Sequence, residues 1–167
     1  MRKNIYKVEI KPIEKNTEIN EKINLTWDYI NGKPADLDSI SYIYGLNVVS
    51  PTWFSIIDKE GNILDKGSIE YVEKYKSLGY EVWPLINNDF NPDLTHEILS
   101  SSKSREKLIK EIVDIYENYN VDGINIDFEN IYLKDKYLLT QFIRELYPIF
   151  KEKEMTVSMD VTPISVS

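Results

Sequence analysis

The stretch Val121-Asp-Gly-Ile-Asn-Ile-Asp-Phe-Glu129 sets an amide and two carboxylates, Asn125, Asp127 and Glu129, at alternate positions. Alternate side chains of an extended strand share a face, so these three line one side while Ile124, Ile126 and Phe128 line the other. Cα atoms two residues apart on a strand are roughly 6.5–7 Å apart. Two carboxylates that close, in a site of low dielectric, do not both ionise easily; one keeps its proton and can act as an acid. The chemistry this pattern supports is acid–base work at a strand end. Gly123 has the same inward parity, which leaves room in an interior or allows close packing. Asp122 has the opposite parity and is expected to make a structural hydrogen bond near the strand start.

Such a strand needs a scaffold to position it. Upstream, Ile23–Trp27 alternates as a first strand, and Ala35–Tyr44 carries a short helical pattern. Leu46–Pro51 is expected to be a second strand closed by its proline, with Trp53 and Phe54 in the loop after it. Asp58-Lys-Glu-Gly-Asn62 has hairpin-turn chemistry. Ser68 caps a helix over Ile69–Ser77, and Gly79 stops it. Tyr80–Ile86 is a third strand. Ser104 is expected to cap a long helix with Leu108, Ile109, Ile112, Val113 and Tyr116 on one face. After the carboxylate-bearing fourth strand, Lys134–Lys151 is helical and Met155–Val161 is a fifth strand. Strand and helix alternating four times, then a fifth strand, predict an α/β fold with parallel strands. A doubly wound sheet and a (β/α)8 barrel both begin this way. No Gly-rich phosphate loop follows the first strand, where Trp27-Asp-Tyr29 stands, which argues against a nucleotide site.

In parallel α/β folds chemistry gathers at the C-terminal strand ends. There lie Trp27, Ser50–Phe54, Trp83–Asp89, the Asp127/Glu129 pair and Asp160. Trp53 and Trp83 either offer flat rings to a sugar or pack between strand and helix. Asn87 and Asn88 either bond hydroxyl groups or shape a turn, and Asp160 is a further candidate. Trp27 is read as structural.

Bulk properties narrow the classes. The chain has 167 residues, 42% of them hydrophobic, enough for one domain with a core. A net charge of −8 argues against nucleic acid and anionic membrane surfaces as partners. No apolar run approaches the roughly 18 residues of a membrane span, and no signal peptide is expected in this chain. With no cysteine, disulfides and thiol catalysis are out; the one histidine, His96, is expected on a surface helix start. Residues 1–20 read as a polar lead-in or the end of an upstream segment.

Asp122-Gly-Ile-Asn-Ile-Asp-Phe-Glu129 resembles the DxxDxDxE signature of the family 18 glycoside hydrolases, carried on the fourth strand of a (β/α)8 barrel. Asn47–Phe54, Val82–Phe90 and Asp127–Asn130 resemble its bacterial branch typified by spore-cortex-lytic N-acetylglucosaminidases. The resemblance covers residues 21–167 as the N-terminal portion of the barrel. It implies that Glu129 is the general acid/base and that Asp127 orients the substrate's 2-acetamido group. That group is then the nucleophile, so hydrolysis retains the anomeric configuration and needs an N-acetylated sugar. The implied partner is an N-acetylglucosamine polymer, peptidoglycan (spore cortex) or chitin, at the cell wall, spore or cell exterior, with no cofactor and no metal. A metal site built from Asp122, Asp127 and Glu129 is opposed by Asp122's parity. Asn125 stands where the signature has a middle aspartate, and is expected to hold Asp127 without sharing a proton. Strands six to eight do not follow the fifth, so this chain alone is expected to be inactive. The alternative is a non-catalytic module binding the same polymer.

Overall fold

A computed structural model describes residues 22–31 and 36–161; the lead-in read over residues 1–20 lies outside them. The elements in order are β1 (Leu25–Asp28), β2 (Val48–Ile56), β3 (Ile63–Asp65), α1 (Ile69–Ser77), β4 (Glu81–Val82), β5 (Leu85–Asn87), α2 (Pro92–Ser100), α3 (Ser102–Tyr119), β6 (Gly123–Asp127), α4 (Lys136–Glu152) and β7 (Thr156–Met159). The main sheet runs β1-β2-β5-β6-β7, and every neighbouring pair is parallel. Spatial order follows chain order, with β4 and β5 sharing the third place beside β2. A doubly wound sheet reverses its order at a switch point; this one does not, and is the sequential sheet of a (β/α)8 barrel.

One face of the sheet is sealed by the helices. Val49, Val82, Ile86, Ile124 and Ile126 share a single cluster with Val72, Leu108, Ile112, Phe142, Leu146 and Phe150. Each fully buried aliphatic or phenyl side chain contributes about 1.5–3 kcal/mol. The stripes at helical spacing in α3 and α4 supply this cover.

Four local expectations give way to a physical reason. Pro51 does not end β2, which continues to Ile56. On the side facing the third place, β4 pairs Val48 and Val49 while β5 picks up at Thr52, so the proline falls between two ladders. The third strand is split at Trp83-Pro84 into β4 and β5; the Pro84 carbonyl accepts from the Asn125 N–H at 3.1 Å and the Tyr116 hydroxyl at 2.8 Å. α2 is an additional helix, with Pro92 at its first turn and the Asn91 side chain accepting from the Leu94 N–H. Consequently α3 is capped by Ser101, whose hydroxyl accepts from the Ser104 N–H. The helix read over Ala35–Tyr44 is replaced, over its described part, by turns closed by Ser39 N–H to Asp36 C=O and Leu46 N–H to Ile43 C=O. The hairpin turn is present: Asp58 Oδ1 accepts from the Asn62 N–H, Gly61 takes φ +77°, and β3 pairs back on β2.

Candidate active site

The other face of the sheet carries the polar residues. β6 presents Gly123, Asn125 and Asp127 there, and Glu129 follows two residues beyond Asp127. At the strand ends an open trough of about 430 Å³ is lined by Trp27, Thr52, Leu85, Asp127, Glu129, Asp160 and Val161. Strands β1, β2, β5, β6 and β7 or their immediate extensions each contribute to it. Thr52 is fixed by accepting from the Ile30 N–H at 2.9 Å.

Asp127 and Glu129 thus meet Asp160 across one trough, as the alternation predicts for the first two. Burial pushes the Asp127 carboxyl up to about 6, and the nearby charges of Glu129 and Asp160 push it the same way. Among the described residues no hydrogen bond reaches the Asp127 side chain to counter that. Asn125 is fully buried and its amide is spent elsewhere. Its Nδ2 donates to Asp160 Oδ2 at 2.9 Å, and its Oδ1 accepts from the Ser158 hydroxyl at 2.9 Å. The residue expected to hold Asp127 holds Asp160 instead, because Asp160 is the acceptor within reach across the β6–β7 pair.

Asp122 lies at the other end of β6. Its Oδ2 accepts from the Val82 N–H at 3.1 Å and its Oδ1 sits 3.2 Å from Lys76 Nζ. It ties β4 to β6 and faces away from Asp127 and Glu129, as its parity requires. His96 sits in α2, with Nδ1 2.8 Å from Asp135 Oδ1, and does not line the trough.

Trp53, Trp83, Asn87 and Asn88 do not line the trough. Trp53 is 1% exposed and packs edge-on against Tyr71 at 5.1 Å among the helix-facing residues. Trp53 follows trough-facing Thr52 and has the parity of Val49, so alternation along the continued strand turns it to the helices. A bulge, in which Thr52 pairs with Leu85 and Phe54 with the next residue, Ile86, brings Phe54 into the core beside it. Trp83 is also 1% exposed. It lies over Gly123, where an added Cβ would come within 2.8 Å of the indole, and its Nε1 donates to Glu81 Oε2. Gly123 therefore serves close packing in the interior. Asn88 is buried and turned to the backbone of Glu129, donating to its carbonyl at 2.8 Å and accepting from its N–H at 3.0 Å. Conversely, Trp27, read as structural, is 60% exposed and lines the trough. Its place at the end of β1 with the parity of Leu25 is the signal that points there.

Comparison with known proteins agrees with this geometry. Residues 79–166 match the glycosyl hydrolases family 18. The glycosylase YvbX of Bacillus subtilis (strain 168) is 22% identical over 144 residues, covering 82% of this chain and 42% of the relative. The C-terminal domain of a Desulfitobacterium hafniense DCB-2 protein assigned as a chitinase superposes with a TM-score of 0.70 at 30% identity. That match covers 87% of this chain and 47% of the domain. The Bacillus cereus spore cortex-lytic enzyme SleL shares the fold, with a TM-score of 0.65 at 22% identity over 71% of this chain and 29% of SleL. The chain spans less than half the length of each of these relatives.

Proposed function

Because the chain belongs to glycosyl hydrolases family 18, we propose that it supplies the acid–base half of a retaining hydrolase for β-1,4-linked N-acetylglucosamine polymers. The observation that carries this reading is the convergence of Asp127, Glu129 and Asp160 on one trough at the strand ends. Glu129 protonates the glycosidic oxygen and then activates water. The acetamido oxygen of the sugar attacks the anomeric carbon, and Asp127, once ionised, accepts from the acetamido N–H and aligns it. Trp27 offers an exposed ring in the same trough on which a pyranose face can lie. Asn125 and Asp122 act as supports, the one on Asp160 and the other at the base of β6.

The spore cortex activity in SleL's name and the chitinase name of the Desulfitobacterium domain support the polymer class and a location at the spore or cell wall. Among the described residues no helix is long and apolar enough to cross a membrane. The chain spans less than half the length of these relatives, so the activity is proposed for the barrel as a whole.

The test compares a soluble N-acetylglucosamine oligomer with its de-N-acetylated counterpart, using the complete natural protein. Cleavage of the first and not the second is expected. Equal cleavage of both would overturn the substrate-assisted route. Binding of the N-acetylated oligomer with no new reducing ends would make the protein a binding module.

A further inference from the structure

We propose that Asn88 is the positioning residue for Glu129, acting as a side-chain extension of the β5–β6 ladder; this rests on Glu129 being the acid. The regular ladder ends where Asn87 pairs with Asp127. One step further, the backbone of β5 has already turned away. The Asn88 carbonyl accepts from the Asn91 N–H at 3.0 Å, and Asp89 and Phe90 both take φ +53° to make that turn. Left alone, Glu129 would have lost its neighbour just where its carboxyl must be held.

The Asn88 carboxamide takes the place of the missing peptide. Its Oδ1 accepts from the Glu129 N–H and its Nδ2 donates to the Glu129 carbonyl, so both backbone groups of one residue are held by one side chain. A carboxamide carries a donor and an acceptor in one plane, as a peptide does. The amide is anchored from behind: Nδ2 also donates to Thr95 Oγ1 at 2.8 Å, and that hydroxyl donates to the Asn91 carbonyl at 2.8 Å. Asn88 is 1% exposed, so water cannot compete for these bonds and the side chain is not free to meet a sugar. A second tie joins the same two loops, from Asn130 Nδ2 to the Phe90 carbonyl at 3.0 Å. On the other flank Phe128 is stacked on Phe142 at 5.7 Å. Glu129 is thereby pinned by its backbone while its carboxyl stays in the trough.

The experiment uses Asn88→Ala and Asn88→Asp in the complete protein, with Glu129→Gln as reference. Three quantities are read: kcat and KM on an N-acetylglucosamine oligomer, the melting midpoint, and hydrogen exchange at the Glu129 amide. Misplacing a reacting group by about 1 Å costs up to about a hundredfold in rate. Asn88→Ala is expected to lower kcat at least about tenfold with KM within about twofold, and to speed Glu129 amide exchange. Asn88→Asp keeps the acceptor for that amide and is expected to restore its protection and part of kcat. An unchanged kcat in folded Asn88→Ala overturns the proposal, as does a raised KM with kcat intact, the mark of direct sugar contact. If Asn88→Ala does not fold, Asn88→Asp decides: an unprotected Glu129 amide overturns the proposal. Full activity in Glu129→Gln would instead remove the underlying assignment of the acid, whatever Asn88 does.

Discussion

The two faces of one sheet obey different rules. On the helix side of β6, Ile124 and Ile126 are fully buried, and Phe128 nearly so, against α3 and α4. On the other side Gly123, Asn125, Asp127 and Glu129 follow the same backbone with almost no apolar atoms. The first face gains stability from area removed from water. The second gives some of it up: Asp127 is partly desolvated, and among the described residues no hydrogen bond reaches its carboxyl. Polar groups kept in so poor a setting mark a site, because packing alone would replace them.

The comparison breaks most visibly on the helix side. Ile126→Ala is expected to destabilise by about 2–5 kcal/mol, the cost of a cavity under α3 and α4, measured by urea unfolding. Asn125→Asp is the largest effect expected on the trough side. It sets a second buried carboxylate against Asp160 Oδ2, now 2.9 Å from the Asn125 amide nitrogen. A loss of about 1–3 kcal/mol at pH 7 is expected, recovering on acidification as the pair gains a proton.

Asp127→Asn should act in the opposite sense. The Asp127 carboxyl titrates near 6 when folded, against an ordinary 3.8, so the folded protein holds more protons between those values. Its stability therefore falls as pH rises from about 4 to about 6. Removing the carboxyl is expected to abolish that fall and raise the melting midpoint at pH 7. The same burial and neighbouring charges are expected to set the acidic limb of kcat/KM above the ordinary carboxylate range, since Asp127 must be ionised to accept from the acetamido N–H. Trp27→Ala is the smallest change: about 1 kcal/mol of sugar binding, a factor of about five in KM, with the melting midpoint unmoved.

What can be read from the sequence follows the same division. Alternation over residues 123–129 places every β6 side chain on its observed face, because a strand's period leaves no other choice. The α3 and α4 stripes announce their packing through helical spacing. The Asp58–Asn62 turn is legible because its bonds are local. Non-local choices are not. Phe54 joins Trp53 in the core because a bulge shifts the register against β5, and nothing in Pro-Thr-Trp-Phe announces that. Pro51 stays in β2 only because the neighbouring ladder changes partner beside it. Asn88 stands out in the sequence as a residue that could bond a sugar hydroxyl or shape a turn, yet it holds the backbone of Glu129. Its bonds to that residue span 41 positions and form only once two loops meet. Asn125 has the parity to serve Asp127, but a partner beyond β7 captures it.

The central claim is that Glu129, at the trough end of β6, is the proton donor to the glycosidic oxygen. Its most direct test is Glu129→Gln in the complete protein, followed by release of reducing ends from an N-acetylglucosamine oligomer. The amide is close in size to the carboxyl but cannot give up a proton, so turnover is expected to fall by about 100-fold or more while the oligomer still binds. Turnover within about twofold of the natural protein would contradict the account and move the acid to another residue.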